Sequence, residues 1–171
     1  LPADVGRYNA LILWYKKNRQ WGEALAVLGE MRAAGAKPSI VSFNSVIDAC
    51  GKARQLKAAF ELLGEVSQEG LSPDTVTYTS LIDACGKAQQ LERAFSLLNQ
   101  MKSVGVRPNS FTYNALIDAC AVPPLRQPFA AEEVNSSARG MLIDSIARLA
   151  RSADAKLRSS AMAALTSLLA R

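Results

Sequence analysis

Carboxylate and thiol side chains, which can catalyse reactions or bind metals, recur at fixed intervals in this 171-residue chain. The carboxylates are Asp48, Asp83 and Asp118, and the thiols are Cys50, Cys85 and Cys120, with 35 residues between neighbours in each set. Units packed at helix-packing distances place such residues about 10 Å apart. Two-metal chemistry needs ions about 3.5 to 4 Å apart, held by shared carboxylates. The aspartates therefore do not form a metal-dependent active site.

The sequence contains no histidine. This excludes histidine-based acid–base catalysis, Ser–His or Cys–His nucleophile pairs and zinc sites with histidine ligands. The number of cysteines is odd, and all three occur at the same place in the repeat. We therefore interpret them as small apolar residues inside helices and predict no disulfide framework. We predict that the chain is not an enzyme and needs no metal or cofactor.

Two further sets of residues with the same spacing suit binding. An aromatic residue is followed by a polar one in Tyr8–Asn9, Phe43–Asn44, Tyr78–Thr79 and Tyr113–Asn114, and lysines recur at Lys17, Lys52 and Lys87. The net charge of +5 is compatible with a nucleic-acid partner and equally with an ordinary scaffold. The charge alone decides nothing between them.

These residues must be positioned by helices. In the third period, Tyr78, Leu81, Ile82 and Cys85 follow helical spacing, which predicts an amphipathic helix that ends near Lys87. A second apolar stripe runs from Leu91 to Met101, and Gly105 followed by Pro108 predicts its end. Each period is therefore helix, short turn, helix.

A single helix pair leaves part of its apolar surface in water, so neighbouring pairs must stack. We predict an all-α protein, a right-handed α-solenoid of antiparallel helix pairs with a C-terminal helical cap. Charges interrupt the apolar runs too often for a membrane span. The predicted units are three repeats at 5–39, 40–74 and 75–109, the first helix of a partial fourth at 110–120, a Pro-rich loop at 121–130, and a C-terminal helix pair, either cap or degenerate repeat, at 131–171.

The segments VSFNSVIDACGKARQLKAAFELLGEVSQEGLSPD and VTYTSLIDACGKAQQLERAFSLLNQMKSVGVRPN strongly resemble the pentatricopeptide repeat (PPR) family, of the uniform 35-residue P class. The period is 35 rather than 34, and the Trp-Leu-Gly-Tyr pattern of tetratricopeptide repeats is missing. The resemblance covers residues 5 to about 120. It implies binding of single-stranded RNA at one base per repeat.

By resemblance, the base is contacted by the polar residue after the aromatic and by the last residue of the repeat. The implied pairs are Asn9 with Ser39, Asn44 with Asp74, and Thr79 with Asn109, while Asn114 begins the fourth unit. The family's pairing tendencies imply the target 5′-CUA-3′. The resemblance also implies base-sandwiching side chains at Val41, Val76 and Phe111, with Gly6 in the first unit, and phosphate contacts at Lys17, Lys52 and Lys87.

Other interpretations stay open at this point. Ser39, Asp74 and Asn109 are also good helix N-caps, and the lysines also fit a solvated surface. The resemblance implies an organellar protein, in a chloroplast or mitochondrion with the chloroplast favoured, that acts in RNA stabilisation, processing or translation. The alternative is a helical scaffold within an organellar ribosome or transcription complex. Expected partners are RNA together with other proteins or further repeats.

Overall fold

The computed structural model describes residues 4–121 and residue 144. Over this part the chain forms seven α-helices and no strand, which confirms the predicted all-α solenoid. The helices are α1 (Val5–Lys17), α2 (Trp21–Ala33), α3 (Ile40–Lys52), α4 (Leu56–Gln68), α5 (Thr75–Lys87), α6 (Leu91–Ser103) and α7 (Ser110–Ala121). Ala121, which we assigned to the loop, is the last residue of α7. The rest of that loop and the predicted C-terminal helix pair lie outside the described residues, residue 144 excepted.

The odd-numbered helices begin at side-chain N-caps. Asp4 accepts hydrogen bonds from the backbone N–H groups of Gly6 at 3.0 Å and Arg7 at 3.3 Å. Ser39 and Asp74 each form a reciprocal capping box with the third residue of the helix that follows. Asn109 exchanges the same two bonds with Thr112. These bonds satisfy backbone donors that the first helical turn leaves free.

Even-numbered helices end at glycines with left-handed backbone, as the sequence predicts. Gly35, Gly70 and Gly105 have φ angles of 74°, 71° and 79°. The N–H of Gly35 bonds to the carbonyl of Arg32 and the following N–H bonds to the carbonyl of Met31, the pattern of a Schellman turn. Helices α1, α3 and α5 end in the same turn without glycine, at Arg19, Arg54 and Gln89. The sequence gives no signal for these left-handed residues.

The helices form two layers. The inner helices, α1, α3, α5 and α7, pack side by side, whereas the outer helices, α2, α4 and α6, pack on their own partner and on the next inner helix. The buried core between the layers includes Phe43, Tyr78 and Leu81. Because the inner layer is the more closely packed, a curved stack places it on the concave side.

Glycine permits the closest contacts between inner helices. A Cβ atom added to Gly51 would lie 2.8 Å from Cβ of Ala84, and one added to Gly86 would lie 2.5 Å from Cβ of Ala119. Lys16 occupies the equivalent place in the first repeat, where α1 packs less extensively against α3. The Gly–Ala contact therefore sets the close spacing of α3, α5 and α7.

We expect Gly51→Ala to destabilise the fold, because the added methyl group overlaps a side chain fixed on a neighbouring backbone. Overpacking of this kind costs about 1 to 3 kcal/mol. The control is Gly64→Ala, in the exposed middle of α4 with open space around it, where alanine should stabilise by about 0.5 to 1 kcal/mol. Urea denaturation followed by circular dichroism measures both. Stabilisation by both substitutions would contradict the assigned role of Gly51.

Candidate nucleic-acid interface

The predicted pair Asn44 and Asp74 is brought into direct contact. The side-chain amide of Asn44 donates to Oδ1 of Asp74 at 3.0 Å, and its carbonyl Oδ1 accepts from the hydroxyl of Thr77 at 2.6 Å. The same Oδ1 of Asp74 accepts from the backbone N–H of Thr77 at 2.9 Å. Asn44 is only 8% exposed, so little of this residue reaches the surface.

The other two predicted pairs are linked indirectly. The hydroxyl of Ser42 donates to Oδ1 of Asn9 at 2.6 Å and lies 3.2 Å from the hydroxyl of Ser39. In the next interval, the hydroxyls of Thr79 and Thr112 are 2.8 Å apart, and Thr112 lies 3.1 Å from Oδ1 of Asn109. Each pair is thus joined through a third side chain, which belongs to the repeat that follows. Asn114 is exposed on α7.

Sequence reasoning missed this third member. Ser42, Thr77 and Thr112 are buried hydroxyl residues, each at the third position of an inner helix. They were visible in the sequence as hydroxyl side chains that recur every 35 residues. Their contact with the preceding repeat depends on the spacing of the inner helices, which the sequence pattern does not contain.

Apolar side chains at the surface accompany these polar clusters. Val41 is 59% exposed, Val76 57% and Phe111 74%, and each directly precedes one of the buried hydroxyl residues. Exposure of large apolar side chains at one repeated place is a feature of a binding surface rather than of a core. The side chains predicted to sandwich bases therefore lie where a ligand can contact them.

Two of the three predicted phosphate lysines are engaged in ion pairs. Lys52 contacts Asp48 at 2.8 Å, and Lys87 contacts Asp83 one turn away on its own helix. Asp48 also accepts Lys16 of the preceding repeat at 2.6 Å. Burial raises the pKa of Asp48, but its bonds to the two lysines outweigh this and hold the pKa below its ordinary value.

Lys17 differs from the other two. It is exposed and has no ion pair among residues 4–121, because Leu13 occupies the place that Asp48 and Asp83 hold in later repeats. Of the three predicted phosphate contacts, Lys17 has the charge that is least compensated.

Asp74 is a carboxylate held in a network of donors. Burial raises its pKa, but the backbone N–H and hydroxyl of Thr77 and the amide of Asn44 lower it to below its ordinary value overall. Hydrogen bonds to the ionised form have this effect. Asp74 is therefore negatively charged at neutral pH and available both as a cap and as an acceptor.

Among the described residues, no group of three or more His, Cys, Asp or Glu side chains is placed to hold a metal ion. Burial raises the pKa of Cys50 and of Cys85 to about 11, so neither thiol is an activated nucleophile at neutral pH. None of the helices described is both long and apolar enough to cross a membrane.

The sequence matches the model of the PPR repeat family three times, over residues 3–50, 38–87 and 73–122. Since these matches cover more than half of the chain, the protein belongs to the PPR repeat family. Members of this family are generally organellar and typically non-enzymatic. No curated protein sequence matches the chain.

Similar solved structures include PPR10 in complex with an 18-nucleotide psaJ RNA element, with 29% identity and a TM-score of 0.66 over 70% of this chain. PPR10 from maize is 26% identical over 94% of this chain, with a TM-score of 0.67. The chain spans only 18% and 20% of those two proteins. The PPR domain of Arabidopsis thaliana protein-only RNase P 1, in complex with tRNA, is 20% identical with a TM-score of 0.59; the match covers 94% of this chain and 87% of that domain, and it supports the fold alone.

Because Asp74 is charged in the folded protein, the stability of the array should depend on pH in the acid range. A carboxyl with a lowered folded-state pKa stabilises the fold above its unfolded pKa of about 3.9, and this contribution is lost as the pH falls through the folded pKa. Asp74→Asn keeps a side-chain oxygen for the cap, as Asn109 does naturally. We expect wild type to exceed the variant in unfolding free energy by a constant amount above about pH 5, and by less as the pH falls below 4. Urea denaturation across this range tests it, and a pH-independent difference would contradict it.

Proposed function

We propose that this chain binds single-stranded RNA along its inner helices, at one base per repeat, with the preferred sequence 5′-CUA-3′. The observation that carries the proposal is one polar cluster that recurs three times beside an exposed apolar side chain. Each cluster contains Asn9, Asn44 or Thr79 together with the N-cap residue and the third residue of the next inner helix. The RNA complex of PPR10 supports it. The proposed setting is organellar RNA stabilisation, processing or translation, in the chloroplast in preference to the mitochondrion.

Capping does not compete with base recognition in this arrangement. Asp74 caps α5 through Oδ1, which leaves its second carboxylate oxygen for a base or a bridging water. The amide of Asn44 likewise has a second N–H beyond the one given to Asp74. One pair of side chains can therefore end a repeat and still present a donor and an acceptor to RNA.

Three repeats give a weak interaction by themselves. Stacking of a base on an aromatic side chain contributes about 1 to 3 kcal/mol, and contact with an aliphatic side chain contributes less. A total of about 4 to 5 kcal/mol corresponds to a dissociation constant on the order of 1 mM. The proposed biological role therefore includes further repeats or partner proteins.

A scaffold role is the second candidate, favoured by further exposed apolar side chains. Leu13 and Trp14 on α1 are 43% and 56% exposed. Between α4 and α6, Phe60 lies under Arg93 at 5.7 Å in an open groove. Either surface offers contact area to another protein.

The base assignment is tested by exchanging one recognition pair for another in the same chain. Thr79→Asn combined with Asn109→Asp copies Asn44 and Asp74 into the third interval. We expect wild type to prefer CUA over CUU, and the double variant to prefer CUU, by about two- to tenfold, the range for one hydrogen bond. Titrations of short RNAs followed by NMR chemical shifts suit affinities this weak.

The matched control is the pair Ser96→Asn and Gln100→Asp on outer helix α6, which adds the same side chains away from the inner helices. It should leave the preference for CUA unchanged. Equal binding of CUA, CUU and a scrambled RNA by wild type would contradict sequence-selective RNA binding and leave the scaffold role as the remaining candidate.

The ion pairs predict unequal contributions from the lysines. Lys17→Ala should reduce the slope of log affinity against log salt by about 0.7, the value for one contact on single-stranded nucleic acid. Lys52→Ala should reduce it less, because Asp48 already compensates that charge. The control is Lys57→Ala on outer helix α4, whose side chain is 92% exposed. RNA titrations from 20 to 200 mM salt provide the measurement, and equal slopes for all three variants would exclude phosphate contact by Lys17.

A further inference from the structure

Each proposed base-recognition residue is held by a hydroxyl group that the following repeat supplies. Ser42, Thr77 and Thr112 are 1%, 0% and 0% exposed, and they contact Asn9, Asn44 and Thr79 at 2.6, 2.6 and 2.8 Å. The contact between Thr77 and Asn44 is buried and the other two are partly buried, and each joins residues 33 positions apart. These three buried hydroxyl residues therefore contact recognition residues without being exposed to the ligand themselves.

The hydroxyl of Thr77 has one proton and two acceptors within reach, Oδ1 of Asn44 at 2.6 Å and Oδ1 of Asp74 at 2.9 Å. The carboxylate oxygen already accepts from the backbone N–H of Thr77 and from the amide of Asn44. Thr77 itself accepts from the N–H of Asp74 at 3.1 Å. The arrangement that satisfies every group sends the hydroxyl proton to Asn44.

This proton assignment fixes which way the amide of Asn44 faces. With the carbonyl toward Thr77 and the nitrogen toward Asp74, both ends are bonded. A flipped amide would set its carbonyl oxygen against the carboxylate of Asp74 and lose the two bonds that it makes now, and only a donation from its nitrogen to the hydroxyl of Thr77 could replace one of them. The remaining N–H of Asn44 is thus held in one direction. A fixed N–H donor favours the O4 acceptor of uracil over the amino donor of cytosine.

The other two intervals hold their recognition residues less strictly. Ser42 bonds the carbonyl of Asn9, but the neighbouring cap is Ser39, and among the described residues no acceptor bonds the nitrogen of Asn9. Thr79 has a rotatable hydroxyl in place of an amide. Strict orientation requires both the hydroxyl and a carboxylate, and only Thr77 and Asp74 supply both.

We propose that Thr77 is a specificity-determining positioning residue for the base that the preceding repeat binds, and that it enforces uracil over cytosine by orienting Asn44. The inference rests on the proposed RNA-binding function. It extends base selection by Asn44 and Asp74 from two side chains to three, the third belonging to the next repeat.

The test compares three single variants of the full chain. Thr77→Val removes the hydroxyl and keeps the shape, Thr77→Ser keeps a hydroxyl, and Thr75→Val removes a hydroxyl on the same helix that bonds Arg107 instead. The NMR titrations use RNAs with CUA or CCA at their centre. We expect Thr77→Val to reduce the U-over-C affinity ratio by about two- to tenfold, and Thr77→Ser and Thr75→Val to preserve it. Without RNA, the side-chain amide signals of Asn44 should shift in Thr77→Val alone.

The outcomes separate this inference from the function beneath it. A wild type that binds both RNAs equally overturns the base assignment and the inference together. A wild type that prefers U, with Thr77→Val weakening both RNAs in equal proportion, shows that Thr77 only supports the fold and overturns the inference alone. If Thr77→Val does not fold, Thr77→Cys, which replaces the hydroxyl by a weaker hydrogen-bond donor, tests the same contact; the U-over-C ratio should fall, and an unchanged ratio overturns the inference.

Discussion

The close packing of inner helices at Gly51–Ala84 and Gly86–Ala119 is the constraint on which the remaining structure depends. It brings the third residue of one inner helix within hydrogen-bonding distance of the fifth residue of the helix before it. The corresponding bond from Ser42 to Asn9 also forms in the first interval, where Lys16 replaces the glycine and α1 packs less extensively against α3. Close packing and polar pairing therefore recur together in the second and third intervals, and polar pairing alone extends to the first.

Helix capping and the proposed base contact use the same residues in this array. Asp74 begins α5, bonds the amide of Asn44 and lies partly exposed at the inner surface. A residue with both roles resists substitution for two reasons, one of stability and one of recognition. Asn, Asp and Ser all serve as caps, so the identity of the cap can change between repeats while the fold persists. Variation at Ser39, Asp74 and Asn109 is thus structurally permitted and chemically significant.

The sequence alone predicts much of this fold because local signals agree with the repeat. The periodic apolar positions around Tyr78, the glycine caps such as Gly105 and the polar caps such as Asp74 specify the helices within a residue or so. Contacts between repeats were not predictable in the same way. The bond from Thr77 to Asn44 and the ion pair from Lys16 to Asp48 depend on helix spacing and side-chain rotamers. The site residues stay predictions, although their mutual contacts are now defined.

The first repeat differs from the others in ways that have one combined consequence. Lys16 replaces the close-packing glycine, Leu13 replaces the aspartate, and Gly6 replaces the apolar residue. The looser contact between α1 and α3 is then bridged by Lys16 reaching Asp48, which replaces apolar packing by a partly exposed ion pair. Lys17 is left uncompensated, and no side chain is present at Gly6 to contact a base. Under the proposed function, the first interval contributes more by charge than by base selection, whereas the second interval, with Val41, Asn44 and a compensated Lys52, would select the base with little help from charge.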